Sequence, residues 1–396
     1  MHQARRIAVK LNPKAETILK KGHPWIFSDS IIKVPDEAQT GDVAVIFAQK
    51  DNKLIGVGLY DAESPIRIKI LQANRPMQVD AKFFLDTITT AFNKRKDRIS
   101  KDTNAYRLIY GEGDGLSGVI VDVYDRVVVM KLYSGIWIPY IALLKEALVA
   151  LLQPEALVLR ISRNVAKLDT GFEDGHVLYG TLNDPLVRFT EYGVRFQAHV
   201  IRGHKTGYFL DHRFNRHKVG QLAKGKTVLD VFSYAGGFSV HALAGGAEAV
   251  TSIDISAQAL EVARENAALN KFKGQHETLK GDAFELLADL VKDGRQYEVV
   301  VIDPPSFAKQ QSEVQRALKQ YEKLATLGAG LCSKGGILVL ASCSSRVSLE
   351  DFKAAHQRAF KKAGLKPRIL LSTQHDWDHP VSIPESAYLK TLYYIL

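Results

Sequence analysis

The chain has only two cysteines among its 396 residues, Cys332 and Cys343. That is too few for a disulfide framework or a four-cysteine zinc site. No metal centre is expected; in a reducing compartment each is a free thiol, and one could serve as a nucleophile. No apolar run approaches the roughly 20 residues needed to span a bilayer, so no membrane association is expected. Arg5 and Arg6 are not followed by the apolar core of a secretory signal, which points to the cytoplasm. Internal repeats and low-complexity tracts are also absent.

The composition, 46% hydrophobic and 24% charged, is that of a soluble globular protein, and the length predicts two or three domains. A formal net charge of +10 favours a polyanionic partner. Basic residues gather at Arg5, Arg6, Lys10, Lys14, Lys20 and Lys21, again at Lys94, Arg95, Lys96 and Arg98, and again at Arg202, Lys205, Arg213, Arg216 and Lys218. Each cluster taken alone reads more readily as a solvated face.

Short β-type runs at residues 7–11, 43–47, 54–59 and 66–71, separated by turn signals such as Gly41-Asp42 and Asp51-Asn52, predict a small all-β barrel. Residues 81–99 read as an amphipathic linker helix. The stretch 106–187 reads as a second small module: a glycine-rich loop from Gly111 to Gly118, a hairpin over 119–132, a helix over 136–152 and a strand over 156–161. No helix follows those glycines, so they are weak evidence for phosphate binding. After Pro185 strands alternate with helices, which predicts a doubly wound α/β domain. Its strands are expected at 227–231, 249–253, 277–280, 298–302 and 337–341, with closing strands in the tail at 368–371 and 387–395.

In such a sheet ligands bind at the carboxyl ends of the strands, where glycines let the backbone approach them. The first strand runs through Asp230 and Val231 into Phe232-Ser233-Tyr234-Ala235-Gly236-Gly237. This loop lacks the full GxGxxG of dinucleotide folds. Downstream acids add to it: Asp254 ends the next strand, where an acid meets ribose hydroxyls, and Asp282-Ala283 ends the third, where an acceptor meets the adenine amine. The same three acids could instead cap the helices that follow them.

The fourth strand ends in Asp303-Pro304-Pro305-Ser306-Phe307, whose paired prolines leave carbonyls free to face a planar base or amine. The fifth ends in Ser342-Cys343-Ser344-Ser345. Cys332 sits at the end of an apolar helix and reads as packing, whereas Cys343 falls beside the crevice and reads as a nucleophile. Carbon 5 of cytosine is too weakly nucleophilic to take a methyl group directly. Thiolate addition at carbon 6 builds electron density at carbon 5, and elimination later restores the base. Asp303 is placed to supply a hydrogen bond or proton to ring nitrogen 3, or else caps a helix or touches the cofactor.

Together these motifs resemble the RlmI-type ribosomal RNA (cytosine-5-)-methyltransferases, and the resemblance spans the whole chain. Gly22-His23-Pro24-Trp25-Ile26-Phe27 is similar to the start of that family's PUA domain, and Gly111-Glu112-Gly113-Asp114-Gly115-Leu116 to its central domain. The most specific match runs from Gly203-His204-Lys205-Thr206-Gly207-Tyr208 to Phe209-Leu210-Asp211-His212-Arg213; Asp378-His379-Pro380 and Tyr388-Leu389-Lys390 resemble its tail. The resemblance implies a PUA-like RNA-binding domain over 1–74, a linker helix and central α+β domain over 75–187, and a Rossmann-like class I methyltransferase domain over 188–396. It implies 5-methylcytosine formation in large-subunit (23S) rRNA, with S-adenosylmethionine as cofactor and Cys343 as nucleophile. It assigns the cofactor to Asp230, Phe232, Ser233, Gly236, Gly237, Asp254, Ile255, Asp282, Ala283, Asp303 and Pro304. Lys205, Thr206, Tyr208 and Asp211 would line the cleft or else order the start of the domain. Lys20, Lys21, Trp25 and Arg213 are the candidate RNA contacts, and the expected state is a monomer or homodimer. Ser306 and Ser345 depart from the lysine and glycine common among relatives.

Three other functions fit part of the pattern. A DNA methyltransferase would share the thiolate chemistry, but the PUA-like segment favours RNA. An RNA guanine N-methyltransferase would share the cofactor site but needs no thiol. A non-catalytic RNA-binding ribosome-assembly protein would not require the acids together.

Overall fold

The computed structural model describes residues 3–396. By contact density the chain gathers into two compact units. The first contains residues up to 189 together with 198–208 and 378–383; the second contains 190–197, 209–377 and 384–396.

The first unit holds two sheets. A six-stranded sheet runs in the order Trp25–Phe27, Ile66–Ala73, Leu54–Tyr60, Val43–Phe47, Arg6–Leu11, Ile31–Lys33. It is antiparallel except where Arg6–Leu11 lies parallel to Val43–Phe47. Alternation along Arg6–Leu11 puts Ile7, Val9 and Leu11 into the core. This region is not all-β as the runs suggested: Pro13–Lys20 is a helix. Asn12 caps it by accepting from the Ala15 amide at 2.8 Å, Pro13 occupies its first turn, and Ala15 and Leu19 are buried.

The second sheet orders His176–Gly180, Ala156–Ile161, Val127–Leu132, Val119–Tyr124 and Ala105–Tyr110, with helices Ala81–Asn93 and Ile141–Leu152 packed on each other. The stretch Gly135–Leu152 is long and apolar enough to cross a membrane by length and composition, contrary to the expectation of no such run. It is broken into a 3-10 segment with Pro139 inside it and the following helix. Trp137, Leu144 and Leu148 are fully buried, and the Trp137 indole donates to the Ser117 carbonyl at 2.8 Å.

A hairpin, Leu186–Glu191 with Val194–His199, turns at Tyr192 and Gly193, both in the left-handed region, as a tight two-residue turn requires. The seven-stranded sheet of the second unit comprises β1 (Thr227–Val231), β2 (Ala249–Asp254), β3 (Gln275–Lys280), β4 (Tyr297–Ile302), β5 (Cys332–Ser342), β6 (Arg368–Thr373) and β7 (Lys390–Ile395). Their order is β3-β2-β1-β4-β5-β7-β6; all neighbours are parallel except β7, antiparallel to both β5 and β6. The central strands are near-continuous apolar runs because both faces are covered. Six helices accompany this sheet: α1 (Arg213–Leu222), α2 (Gly237–Ala244), α3 (Ala257–Ala268), α4 (Ala283–Lys292), α5 (Val314–Leu331) and α6 (Leu349–Lys362). Strand order reverses between β1 and β4, which opens a crevice at their carboxyl ends.

Candidate active site

The loop after β1 is held in a costly shape. Phe232, Tyr234 and Gly236 all have positive φ, at 63°, 47° and 73°. Each non-glycine residue in that region costs about 1–2 kcal/mol, and such strain gathers at functional sites. The loop is fixed by the Ser233 amide donating to the Ile253 carbonyl at 2.9 Å and the Tyr234 amide donating to Asp254 Oδ2 at 2.9 Å. A side chain at Gly236 would meet Ala263 Cβ at 2.8 Å, so α2 begins close against α3. The N-cap of α2 is Gly236, which has no side chain to cap it; of the helix's first amides, that of Ser239 is taken by Asp230.

The three strand-end acids divide their roles. Asp230 is buried and accepts from the Ser239 amide and hydroxyl at 3.0 and 2.6 Å. Burial pushes its carboxyl up to about 7, opposed by the Ser239 bonds and reinforced by Asp303 and Asp254. Asp254 accepts from the amides of Tyr234 and Ser256. Asp282 caps α4 through the amides of Phe284 and Glu285, so for this residue the capping role is real. Two buried polar atoms here, Asp230 Oδ1 of β1 and Ser233 Oγ of the loop, have no hydrogen-bond partner among the described residues. With Ile255, an apolar side chain 69% exposed beside Asp254, they fit a ligand carrying both polar groups and a flat apolar surface.

At the neighbouring strand ends, the loops after β4 and β5 are tied together. The Cys343 thiol lies 3.8 Å from the Pro304 carbonyl, and Ser344 Oγ donates to the Ala308 carbonyl at 2.9 Å. Behind them Tyr321 OH and Ser342 Oγ are 2.8 Å apart. Cys343 is half-buried; burial pushes its thiol up to about 12, and the carboxylates of Asp303 and Asp211 add to this. Cys332 opens β5 and is buried in the core.

The S-adenosylmethionine-dependent methyltransferase family matches residues 179–354, and a PUA-like domain matches residues 9–73. A ribosomal RNA large subunit methyltransferase of Deinococcus radiodurans is 40% identical over 98% of this chain and 97% of its own length. Ribosomal RNA large subunit methyltransferase I of Shewanella frigidimarina is 34% identical, covering 98% of each chain. The protein of that name from Escherichia coli SMS-3-5 is 34% identical over 95% of this chain and 96% of its own. The chain belongs to the ribosomal RNA large subunit methyltransferase I family.

The fold agrees with that of a methyltransferase crystallised with SAH, at TM-score 0.83 and 24% identity over 99% of this chain and 100% of that one. A SAM-dependent methyltransferase from Streptococcus mutans matches equally well in fold, at TM-score 0.83. The amino-terminal region is therefore PUA-like, the second unit carries the methyltransferase sheet, and S-adenosylmethionine is the cofactor. The strained loop, the unpartnered oxygens of Asp230 and Ser233 and the exposed Ile255 all suit that cofactor. Among the described residues no group of three His, Cys, Asp or Glu side chains is placed to hold a metal ion.

Several residues of this methyltransferase lie elsewhere than expected. Arg213, a candidate RNA contact, is fully buried: it pairs with Asp376 at 3.3 Å and its guanidinium sits 5.0 Å from the Trp377 ring. Reaching a phosphate would mean abandoning both. Thr206 is buried with the second sheet, its hydroxyl 2.5 Å from Asp122 Oδ2 and 3.1 Å from Tyr124 OH. The Tyr208 ring packs on Phe189 at 5.1 Å, and Lys205 Nζ lies over Tyr133 at 5.9 Å. These three residues belong by contact to the first unit, where they order the chain. Lys20 and Lys21 are exposed; Trp25 is half-buried and its indole donates to Glu112 Oε1 at 3.1 Å.

His212 is a site residue that the motifs did not single out. Its Nε2 lies 3.3 Å from Asp303 Oδ1. Asn215 Oδ1 accepts from Thr373 and Tyr393, so its amide nitrogen donates to His212 Nδ1 at 3.1 Å and the ring proton sits on Nε2, facing Asp303. Burial lowers the pKa of His212, and the Asp303 carboxylate more than offsets that, raising it overall. The Asp-His-Arg run at 211–213 was the available signal.

Proposed function

We propose that the chain methylates carbon 5 of a cytosine in large-subunit (23S) ribosomal RNA, with Cys343 as a transient covalent nucleophile. The observation that carries this reading is the placement of Cys343, half-buried at the end of β5 and tied to the Asp303-Pro304 turn at the switch point of the sheet. The RNA class comes from the names of the full-length relatives. The division into 1–74, 75–187 and 188–396 assigns RNA binding to the first part and the reaction to the last.

S-adenosylmethionine supplies an electrophilic methyl carbon when bound. Asp254 and Asp282 would accept from its ribose and adenine groups, Ile255 and Ala283 would cover the ring, and Ser233, Gly236, Gly237 and the amino end of α2 would take the polar tail. Phe232 and Pro304 flank them, and Asp230 holds the loop through Ser239. Cys343, as thiolate, bonds to carbon 6 of the cytosine and the carbon 5–carbon 6 pair moves onto carbon 5. As that charge spreads from carbon 5 to ring nitrogen 3, Asp303, in its acid form beside His212, donates a proton to the nitrogen and takes it back when the base is restored. After carbon 5 is methylated, a base takes its proton, the freed pair restores the carbon 5–carbon 6 double bond, and the carbon–sulfur bond breaks with Cys343 leaving as thiolate. A cytosine in folded RNA must first be unstacked, at a cost of a few kcal/mol. Binding by the PUA-like domain through Lys20, Lys21 and Trp25 offsets that cost.

The test is transfer of labelled methyl to unmodified large-subunit rRNA, with the base identified by mass spectrometry. Label in 5-methylcytosine that is lost in Cys343→Ala and kept in Cys332→Ala supports the reading. Label in a guanine, or full activity without Cys343, overturns it.

A further inference from the structure

The run Gly203-His204-Lys205-Thr206-Gly207-Tyr208 is the most specific of the motifs, yet neither the cofactor loop nor the Cys343 turn uses it. It belongs to the first unit, whose buried side chains hold its backbone in place. The Arg160 guanidinium donates to the carbonyls of Val200 and Gly203 at 3.1 and 3.2 Å. The Lys131 ammonium, on a residue 9% exposed, donates to the Lys205 carbonyl at 2.9 Å. Lys205 is left-handed, with φ at 58°, a costly conformation for a residue with a β-carbon. Chain ordering accounts for Thr206 and Tyr208, which point inward. It does not account for what the fixed loop turns outward: Arg202, His204 and Lys205 are all exposed.

Beside them stands Tyr133, just past the end of Val127–Leu132 and 40% exposed. Its amide donates to the Gly118 carbonyl at 2.8 Å. Lys131 Nζ and Lys205 Nζ lie 5.8 and 5.9 Å from the centre of its ring. The other cations around the ring are neutralised, Arg107 by Asp122 at 2.8 Å and Arg160 by Asp174 at 2.9 Å. Among the described residues no carboxylate lies within ion-pair distance of Lys131, Arg202 or Lys205. An exposed ring among cations without counter-charges, on a backbone already fixed, suits single-stranded RNA: the ring takes a base by its flat face and the cations take phosphates.

We propose that Tyr133, Arg202 and Lys205 form an RNA contact of this enzyme in addition to Lys20, Lys21 and Trp25, and that it takes an unpaired nucleotide: the base stacks on Tyr133 and the adjoining phosphates pair with Lys205 and Arg202. As the base seats, the exposed Lys205 side chain exchanges its contact with the ring for an ion pair with phosphate. Lys131 keeps the Lys205 backbone in place meanwhile. The inference rests on RNA being the substrate, and not on which base is methylated or on the role of Cys343.

The test measures binding with no cofactor and no methyl transfer. Full-length protein is titrated into a short labelled single-stranded oligoribonucleotide, and into its duplex, across a salt series. The double variant Arg202→Ala, Lys205→Ala is expected to reduce the slope of log affinity against log salt on the single strand by about one to one and a half, the release from two phosphates. Tyr133→Leu is expected to weaken single-strand binding about tenfold at every salt concentration with the slope kept, and Tyr133→Trp to restore it. The duplex, whose bases are already stacked on one another, should not distinguish Tyr133→Leu from wild type. A second arm uses the wild-type side chains, in case a variant fails to fold: single strands carrying 5-iodouridine, which couples on irradiation to an aromatic ring stacked against it, should cross-link to the peptide containing Tyr133. An unchanged slope in the double variant, undiminished single-strand binding by Tyr133→Leu, or cross-links confined to other peptides overturns the inference. Methyl transfer to a guanine would instead refute the cytosine reading and leave this contact standing.

Discussion

Glu191 and Arg216 meet through both carboxylate oxygens, at 2.6 and 2.7 Å, with neither side chain open to solvent. Burial disfavours the Glu191 charge, but the Arg216 guanidinium more than offsets this and holds the carboxyl below its ordinary range, with His241 Nε2 2.9 Å away. Arg216 also donates to the Phe209 carbonyl at 2.9 Å, and the Phe209 ring meets Tyr234 of the cofactor loop edge-on, with centroids 5.3 Å apart. Arg216→Met strands a buried carboxylate, so denaturation should show a loss of about 3–5 kcal/mol. Arg216→Lys should recover only part, because it cannot make the two-oxygen contact. A loss below about 1 kcal/mol for Arg216→Met, the scale of an exposed pair, would contradict this account.

Asp230 makes stability depend on pH in the less common direction. Burial pushes its folded carboxyl up to about 7 from the ordinary aspartate value of 3.8, so the folded state binds the proton more tightly. The resulting stabilisation is fully present below about 4 and is lost as pH rises through about 7. Asp230→Asn lacks this dependence. Denaturant midpoints at pH 5 and pH 8 should show the variant gaining on the wild type by a few kcal/mol toward pH 8. Parallel behaviour of the two proteins would exclude a buried, proton-binding Asp230.

Much of the catalytic half was legible because parallel strands covered on both faces read as short apolar runs, and the residue ending each run marks the crevice. Asp254, Asp303 and Cys343 stand at or just past such an end, and Asp230 one residue before it. The helix Pro13–Lys20 was missed although its signal, Asn12 as cap with Pro13 in the first turn, is local. The fate of the arginines was not legible. Arg213 and Arg216 read as one basic cluster, but their partners Asp376 and Glu191 lie 163 and 25 residues away, and only the fold brings them together. Thr206 sits in the most specific motif, yet its hydroxyl serves Asp122 of the second sheet. Lys390 was visible only as part of the tail, since its place depends on the antiparallel register that sets it against Ser342.

Burial separates the two kinds of basic residue proposed for RNA. Lys20 is half-exposed, with Glu16 at 3.8 Å, and Lys21 is exposed. The double variant Lys20→Ala, Lys21→Ala should weaken rRNA binding and reduce the slope of log affinity against log salt by about one to two, with little change in thermal stability. Arg213→Ala should do the opposite, lowering stability and leaving the slope intact. Filter binding across a salt series, with melting curves on the same proteins, checks both; an unchanged slope in the double variant would remove this face from the RNA contact.

Covalent capture tests the central claim most directly. RNA containing the target site with fluorine at carbon 5 of cytosine accepts thiolate addition and methylation, but has no carbon 5 proton to lose, so the carbon–sulfur bond cannot be released. In the presence of S-adenosylmethionine the wild-type protein should form a denaturant-stable adduct whose cross-linked peptide contains Cys343, and Cys343→Ala should form none. A wild-type protein that methylates ordinary rRNA without trapping the fluorinated one, or an adduct that persists in Cys343→Ala, would contradict the account.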